Sequence, residues 1–111
     1  MKLIIAGGRD YELSAADYDK LWNIHGVTEV VSGGATGADA CGEFWARVSH
    51  VPVKRFNANW GLHGKAAGPI RNRQMAEYAD AVALFKGGKG TANMRAEAQR
   101  AGLIIYDFTS T

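Results

Sequence analysis

The segment VVSGGATGAD, residues 30–39, decides the fold of this 111-residue chain. It passes from an apolar β-branched run through a glycine-rich turn into a helical pattern, in which Ala38, Cys41, Trp45 and Val48 recur on one face. A strand, a glycine turn and an amphipathic helix in this order form half of a βαβ unit, whose next strand runs parallel to the first. We therefore predict a parallel sheet covered by helices.

The same alternation continues on both sides of this segment. Five apolar runs are spaced as strands of one sheet, at residues 2–6, 29–32, 51–56, 81–85 and 103–108. Right-handed crossovers between them predict a Rossmann-like α/β fold of three layers, α/β/α, with a mainly parallel five-stranded sheet. The length suits one domain, so residues 1–111 are expected to form a single unit.

Helices are predicted between these strands. The first begins at Ser14, where Asp17 completes a capping box. The side that should face the sheet carries Tyr18, Leu21, Trp22 and His25. Pro69 suits the first position of a helix that ends near residue 79, and the last helix covers residues 91–101.

Three strand-to-helix junctions are rich in glycine: AGGRD at 6–10, SGGATGAD at 32–39 and KGGKGTAN at 86–93. Glycine lets a ligand approach the main chain, and the helix after each turn offers unpaired N–H groups at the positive end of its dipole. In an open α/β sheet such turns gather at one edge, so we predict an anion-binding cleft there. The predicted ligand contacts in these turns are Gly7, Gly8, Arg9, Ser32, Gly33, Gly34, Thr36, Gly37, Asp39, Gly87, Gly88, Gly90, Thr91 and Asn93.

The alternative is that these glycines only make tight turns. Thr36 and Asp39 also fit a capping box, which leaves a structural role open for both. None of the turns has the G-x-G-x-x-G or the P-loop spacing, so neither a hydride-transfer cofactor nor an ATPase follows, and no cofactor is predicted.

The segment HGKAAGPIRNRQM, residues 63–75, places Lys65, Arg71 and Arg73 close together. Arg71 lies in the first helical turn, where both its planar guanidinium and the helix dipole favour an anion. We predict that Arg71 holds the ligand. For Lys65 and Arg73, ligand contact and a solvated basic face are equal alternatives. The preceding stretch 57–68 has no period and is predicted to be a long functional loop, in which Trp60 either stacks on a base or anchors the core.

Composition narrows the class of protein. The formal net charge of +2 is too small to indicate nucleic-acid binding by itself. The single cysteine, Cys41, and the lack of a Cys/His cluster predict a cytoplasmic protein with no disulfide and no metal. No apolar run is long enough for a membrane span, so no membrane partner is expected.

The segments VVSGGATGADACGEFWA (30–46), NWGLHGKAAGPIRNRQMAEYADAVALF (59–85) and KGGKGTANM (86–94) together resemble the SLOG superfamily, in particular its small stand-alone branch related to YspA and YpsA. The superfamily includes the Lonely Guy phosphoribohydrolases, the DprA proteins and the ligand-sensing domain of Thoeris NADases. The resemblance implies a domain that holds a nucleotide or a nucleotide-derived small molecule, such as an ADP-ribose derivative. It also implies a homo-oligomer.

The phosphoribohydrolases carry R-x-x-x-M followed, after a strand, by P-G-G-x-G-T-x-x-E. Arg71 and Met75 match the first motif and the glycines of the third turn match the second, but Asn93 and Met94 stand where the glutamates would lie, and Lys86 replaces the proline. Neither side chain can act as a carboxylate base. We therefore expect binding, either sensing or sequestration, rather than hydrolysis.

Two other functions stay open at this point. One is a nucleoside-phosphate glycosidase in which Asp10, Asp39 or Glu97 supplies the missing carboxylate. The other is DprA-like binding of single-stranded DNA, which needs an extended basic groove and which the modest net charge makes the less favoured partner.

Overall fold

A computed structural model describes residues 1–110 of the chain. Five strands form one sheet: β1 (Lys2–Ala6), β2 (Glu29–Ser32), β3 (Val53–Arg55), β4 (Ala81–Leu84) and β5 (Ile104–Asp107). Their order is β3-β2-β1-β4-β5, and every neighbouring pair is parallel. The predicted Rossmann-like α/β fold with five strands is therefore confirmed.

In the described part of the chain, five α-helices connect the strands: α1 (Ala15–Trp22), α2 (Ala38–Val48), α3 (Trp60–His63), α4 (Ala67–Tyr78) and α5 (Lys89–Ala101). A 3₁₀ turn, Gly64–Ala66, joins α3 to α4. Stretch 57–68 is thus not the long loop that the sequence suggested, because α3, the 3₁₀ turn and the start of α4 occupy most of it. Pro69 is the third residue of α4 rather than the first, a position where its missing N–H still has no helical partner to lose.

The sheet separates two halves of the core. Alternate residues of β1 point to opposite faces, so that Leu3 and Ile5 pack with α1 and α2, while Ile4 and Ala6 pack with α4 and α5. β4 is buried along its whole length, as expected for a central strand of a parallel sheet. β3 is exposed and spans three residues instead of the predicted six, which suits a short charged edge strand.

The two predicted capping boxes have different outcomes. At α1 the box is present: Ser14 Oγ accepts from the Asp17 amide at 3.1 Å, and Asp17 Oδ2 accepts from the Ser14 amide at 3.0 Å. At α2 the prediction of a capping box formed by Thr36 and Asp39 is wrong, because the N-cap is Gly37, which has no side chain to cap the helix. The first amide of α2, that of Ala38, instead donates to the Gly8 carbonyl at 3.1 Å.

The sheet-facing side predicted for α1 is only partly correct. Leu21 is fully buried and Tyr18 partly buried, but Trp22 and His25 are exposed. The helix ends at Trp22, whose ring packs edge-to-face with that of Trp45 at 5.5 Å between centroids, and His25 lies beyond the helix end. Across residues 1–110, the structure contains no helix whose length and apolar content would allow it to cross a bilayer.

Candidate functional site

A cleft of about 540 Å³ opens beyond the carboxyl ends of β1 and β4. From β1 the sheet extends to β2 on one side and to β4 on the other, so the strand order reverses between β1 and β4. At such a reversal the connections that follow the two strands run to opposite faces of the sheet. A crevice is left between them, and open α/β proteins bind ligands there. The position of the cleft follows directly from the topology.

The N-terminus of α5 forms one wall of this cleft. Gly88, Lys89, Gly90 and Thr91 line it, and the N-cap Gly88 provides no side-chain cap. The first bond into the helix is from the Ala92 amide to the Gly88 carbonyl, at 3.0 Å. The amides of residues 89–91 have no protein acceptor within the described residues, so this thirteen-residue helix directs free N–H groups and its positive dipole end toward the cleft.

The glycine turns also pack against one another. The Gly8 amide donates to the Lys86 carbonyl at 2.9 Å, and a Cβ on Gly8 would lie 3.2 Å from the Gly87 Cα. A Cβ on Gly37 would lie 2.4 Å from the carbonyl oxygens of Gly8 and Arg9. These glycines are therefore needed for the close approach of the turns, whatever the ligand.

Arg71 enters the cleft from the second turn of α4, not from the first turn as predicted, because the helix already begins at Ala67. Its Nη1 donates to the Gly33 carbonyl at 2.7 Å, and its Nε donates to Asn72 Oδ1 at 3.0 Å. Burial lowers the pKa of the guanidinium, which nevertheless stays charged at neutral pH. Nη2 has no hydrogen-bond partner among residues 1–110, so the arginine is held in place by two contacts with donors to spare for an anion.

Asn72 connects this arginine to α5, and the sequence analysis missed it. The side chain is 6% exposed; its Nδ2 donates to Asn93 Oδ1 at 2.9 Å and to the Gly90 carbonyl at 3.4 Å. The available signal was an asparagine three residues before the buried Met75, a spacing that places it on the core-facing side of the helix. A polar residue at such a position has to find buried partners.

Asp39, in the first turn of α2, is the one carboxylate that lines the cleft among the described residues. It is 9% exposed, and its Oδ2 accepts a single hydrogen bond, from the Ala35 amide at 3.3 Å. Burial raises the pKa of the Asp39 carboxyl; the Ala35 hydrogen bond and the charge of Arg71 offset this only in part. We therefore expect ionisation of Asp39 to cost stability in the unliganded protein.

Replacing Asp39 with asparagine is expected to raise the melting temperature at pH 7. A carboxyl whose pKa is higher in the folded than in the unfolded state carries no penalty below its unfolded pKa and the full penalty above its folded pKa. The rise in melting temperature should hence be largest at neutral pH and should shrink as the pH falls toward the pKa of the Asp39 carboxyl. Thermal unfolding of both proteins between pH 4 and 7 checks this. In a domain near this size, a change of 1 kcal/mol in the free energy of unfolding shifts the melting temperature by about 4–8 °C. A lower melting temperature at pH 7 would show that the charged form is stabilising.

A second, smaller cleft of about 330 Å³ adjoins the first. The two share Arg9, Ala35, Trp60 and Arg71. Trp60 is 50% exposed, and the Arg9 guanidinium lies 5.8 Å from its ring centroid. Of the two roles considered for Trp60, an anchor in the core is wrong, because the ring lies between the clefts at the surface.

The structure brings most of the predicted ligand contacts together. The first cleft is lined by Gly7, Gly8, Arg9, Asp39, Lys65, Arg71, Gly88, Gly90, Thr91 and Asn93. Gly33, Gly34 and Thr36 line the second cleft, together with Arg9 and Arg71. Ser32, Gly37 and Gly87 line neither cleft; the Ser32 hydroxyl is buried and donates to Glu43 at 2.6 Å.

Two of the three candidate catalytic carboxylates lie outside the clefts. Asp10 is exposed and lines neither of them. Glu97 is buried on α5 and pairs with Arg73 at 3.3 Å and with Arg100 at 3.9 Å. No cluster of three His, Cys, Asp or Glu side chains suited to a metal ion occurs within residues 1–110.

Comparison with known proteins gives three similarities. A family model described as YAcAr, "YspA, cpYpsA-related SLOG family", matches residues 1–63. Gene 61 protein of Mycobacterium phage D29 is 38% identical over an alignment of 87 residues, which covers 71% of this chain and 70% of that protein. DNA processing protein A (DprA) from Streptococcus pneumoniae is similar in structure, with a TM-score of 0.75 and 15% identity, over 99% of this chain and 50% of the DprA chain. The chain thus spans about half the length of DprA, and this likeness concerns the fold.

Proposed function

Because the chain belongs to the YspA, cpYpsA-related SLOG family, we propose that it binds a nucleotide or a nucleotide-derived small molecule, such as an ADP-ribose derivative, and senses or sequesters it. One observation carries this proposal: the free amides at the start of α5 and the spare donors of Arg71 face the same cleft. Main-chain N–H groups at a helix N-terminus and a guanidinium fork are the two groups that proteins use most readily for phosphate.

The rest of the cleft suits the remaining parts of such a ligand. Its volume of about 540 Å³ lies within the range of small-molecule sites. Arg9, Lys65 and Lys89 add positive charge around the phosphate position. Trp60 offers an exposed ring on which a base can stack at the entrance to the second cleft.

Isothermal titration calorimetry of the purified protein with ADP, ADP-ribose and adenosine tests the proposal. Both phosphate-bearing ligands should give saturable heats, whereas adenosine should bind at least roughly tenfold more weakly, since charged hydrogen bonds to phosphate contribute about 1.5–3 kcal/mol each. Equal affinity for adenosine and ADP would contradict the proposal, and so would silence with all three ligands while the fold is intact.

Binding of single-stranded DNA is a second candidate. The fold likeness to a DNA processing protein and the exposed Trp60 beside Arg9 favour it. It predicts affinity for an oligothymidylate that falls steeply with salt, because released counterions drive such binding. A nucleotide held in the cleft should show a much weaker salt dependence, so the same titration repeated at several salt concentrations separates the two.

Among the residues that the structure describes, the one feature that favours hydrolysis of a nucleotide is Asp39, a buried carboxylate that lines the cleft. A general base needs this kind of environment. Free adenine released from AMP by the intact protein and not by the Asp39→Asn variant would support a glycosidase. We favour binding because Asn93 and Met94 replace the glutamates of the phosphoribohydrolase motif.

We extend the proposal to the assembly and location of the protein. Trp22, Phe44 and Val48 are exposed on α1 and α2, and this apolar surface favours association of copies into a homo-oligomer. Sedimentation velocity tests this.

The one cysteine, Cys41, is free and half-buried, which fits a reducing compartment such as the cytoplasm.

A further inference from the structure

Asp39 is a carboxylate within a cleft that is otherwise positively charged. It lines the same space as Arg71, Lys65 and Lys89. Within residues 1–110 it forms no ion pair, and the one hydrogen bond that it accepts, from the Ala35 amide, is long. A negative charge at this place repels phosphate and costs desolvation. The Ala35 amide and the charge of Arg71 favour the carboxylate only in part, and a bound phosphate does not account for it.

The free oxygen of Asp39 indicates what the carboxylate can bind. Oδ2 accepts from Ala35, whereas Oδ1 has no hydrogen-bond partner among the described residues and stays accessible from the cleft. An ionised carboxylate only accepts hydrogen bonds. Its partner on a ligand must therefore be a donor, and a ribose presents two adjacent hydroxyl donors.

The sheet order places Asp39 at a suitable distance from the phosphate position. Asp39 follows β2 and the free amides of α5 follow β4, with β1 between them. Neighbouring strands are about 4.8 Å apart, so the ends of β2 and β4 are roughly 10 Å apart. A nucleotide whose phosphates lie on α5 can cross Gly7 and Gly8 at the end of β1 and bring its sugar to Asp39.

We propose that Asp39 is a specificity-determining residue that accepts hydrogen bonds from the hydroxyls of a ligand's ribose, so that the cleft selects ribonucleotides over their 2′-deoxy counterparts. This inference rests on the proposed function and names the sugar of its ligand. In other α/β folds a carboxylate performs the same task beside a helix N-terminus that holds the phosphates. Selection of ribose also opposes a DNA partner.

Calorimetric titration of three probes into the wild-type protein and the Asp39→Asn variant tests the inference. The probes are ADP, 2′-deoxy-ADP and inorganic pyrophosphate. The wild-type protein should bind ADP about tenfold or more tightly than 2′-deoxy-ADP, as expected for a lost hydrogen bond to a charged group. In the variant this ratio should fall toward one, while pyrophosphate should bind several-fold more tightly because the repulsive charge is gone.

A loss of ribose preference together with tighter binding of pyrophosphate cannot arise from a damaged fold, because a damaged fold lowers the affinity for all three ligands. Asp19→Asn, an exposed aspartate on α1, is the matched control and should leave every affinity unchanged. Equal wild-type affinities for ADP and 2′-deoxy-ADP, or a preference for ADP that is undiminished in Asp39→Asn, would overturn the inference and leave the nucleotide site standing. No binding of ADP or pyrophosphate to the wild-type protein would overturn the nucleotide site and this inference together.

Discussion

Arg71→Gln is expected to weaken ADP binding by about 10- to 100-fold, because a hydrogen bond between a guanidinium and a phosphate contributes about 1.5–3 kcal/mol. The side chain is already held by its contacts with Gly33 and Asn72, so the wild-type protein loses little conformational freedom when the anion arrives. Arg71→Lys keeps the charge but loses the planar fork, and its affinity should lie between the two. Calorimetry with ADP measures all three proteins.

Arg73→Gln is the matched control for this experiment. Arg73 lies on the same helix two residues later, but it pairs with Glu97 and does not line either cleft. The control should bind ADP as the wild-type protein does. If both glutamine variants lose affinity equally, the effect is one of general charge, and the assignment of Arg71 to the phosphate is wrong.

Gly37→Ala is expected to destabilise the fold by about 3 kcal/mol or more. Gly37 has φ +71° and ψ −128°, a conformation essentially limited to glycine. A Cβ there would also meet the carbonyl oxygens of Gly8 and Arg9 at 2.4 Å, so the glycine turns at residues 6–10 and 32–39 would have to move apart. Urea denaturation monitored by tryptophan fluorescence measures the loss.

Gly26→Ala shows how much of this loss comes from close packing. Gly26 has a similar φ of +79°, but a Cβ there would meet nothing within 4 Å. It should cost only about 1 kcal/mol, the usual penalty for a side chain at positive φ. Equal losses in the two variants would show that the approach of the turns is not tight, and that Gly37 is needed only for its backbone angles.

The fold could be predicted because its signals are local. Each buried strand is a short, mainly apolar run, and the box at Ser14 needs only Asp17 three residues later. The box at Thr36 failed because a distant group, the Gly8 carbonyl, takes the first amide of α2 and the N-cap moves to Gly37. Residues 57–68 were misjudged because α3 is a single turn, too short to show a period.

The site could be predicted only in part, because spacing does not show what a residue faces. Asp39 follows from its place at the start of a helix after a strand, and Arg71 from its guanidinium near the start of α4; both reach the cleft. Gly37 and Gly87 carry the same sequence signal as Gly8, yet unlike Gly8 they line neither cleft. Asn72 was missed because its partners, Asn93 and the Gly90 carbonyl, are about twenty residues away on another helix.

Addition of ADP to ¹⁵N-labelled protein, followed by amide chemical shifts, tests most directly whether the α5 amides hold a phosphate. The largest changes are predicted for Lys89, Gly90 and Thr91, with smaller ones at Gly7 and Gly8 and none along β3. Saturating ADP that leaves the amides of 89–91 unmoved, or that perturbs chiefly the β3 edge, would contradict the site.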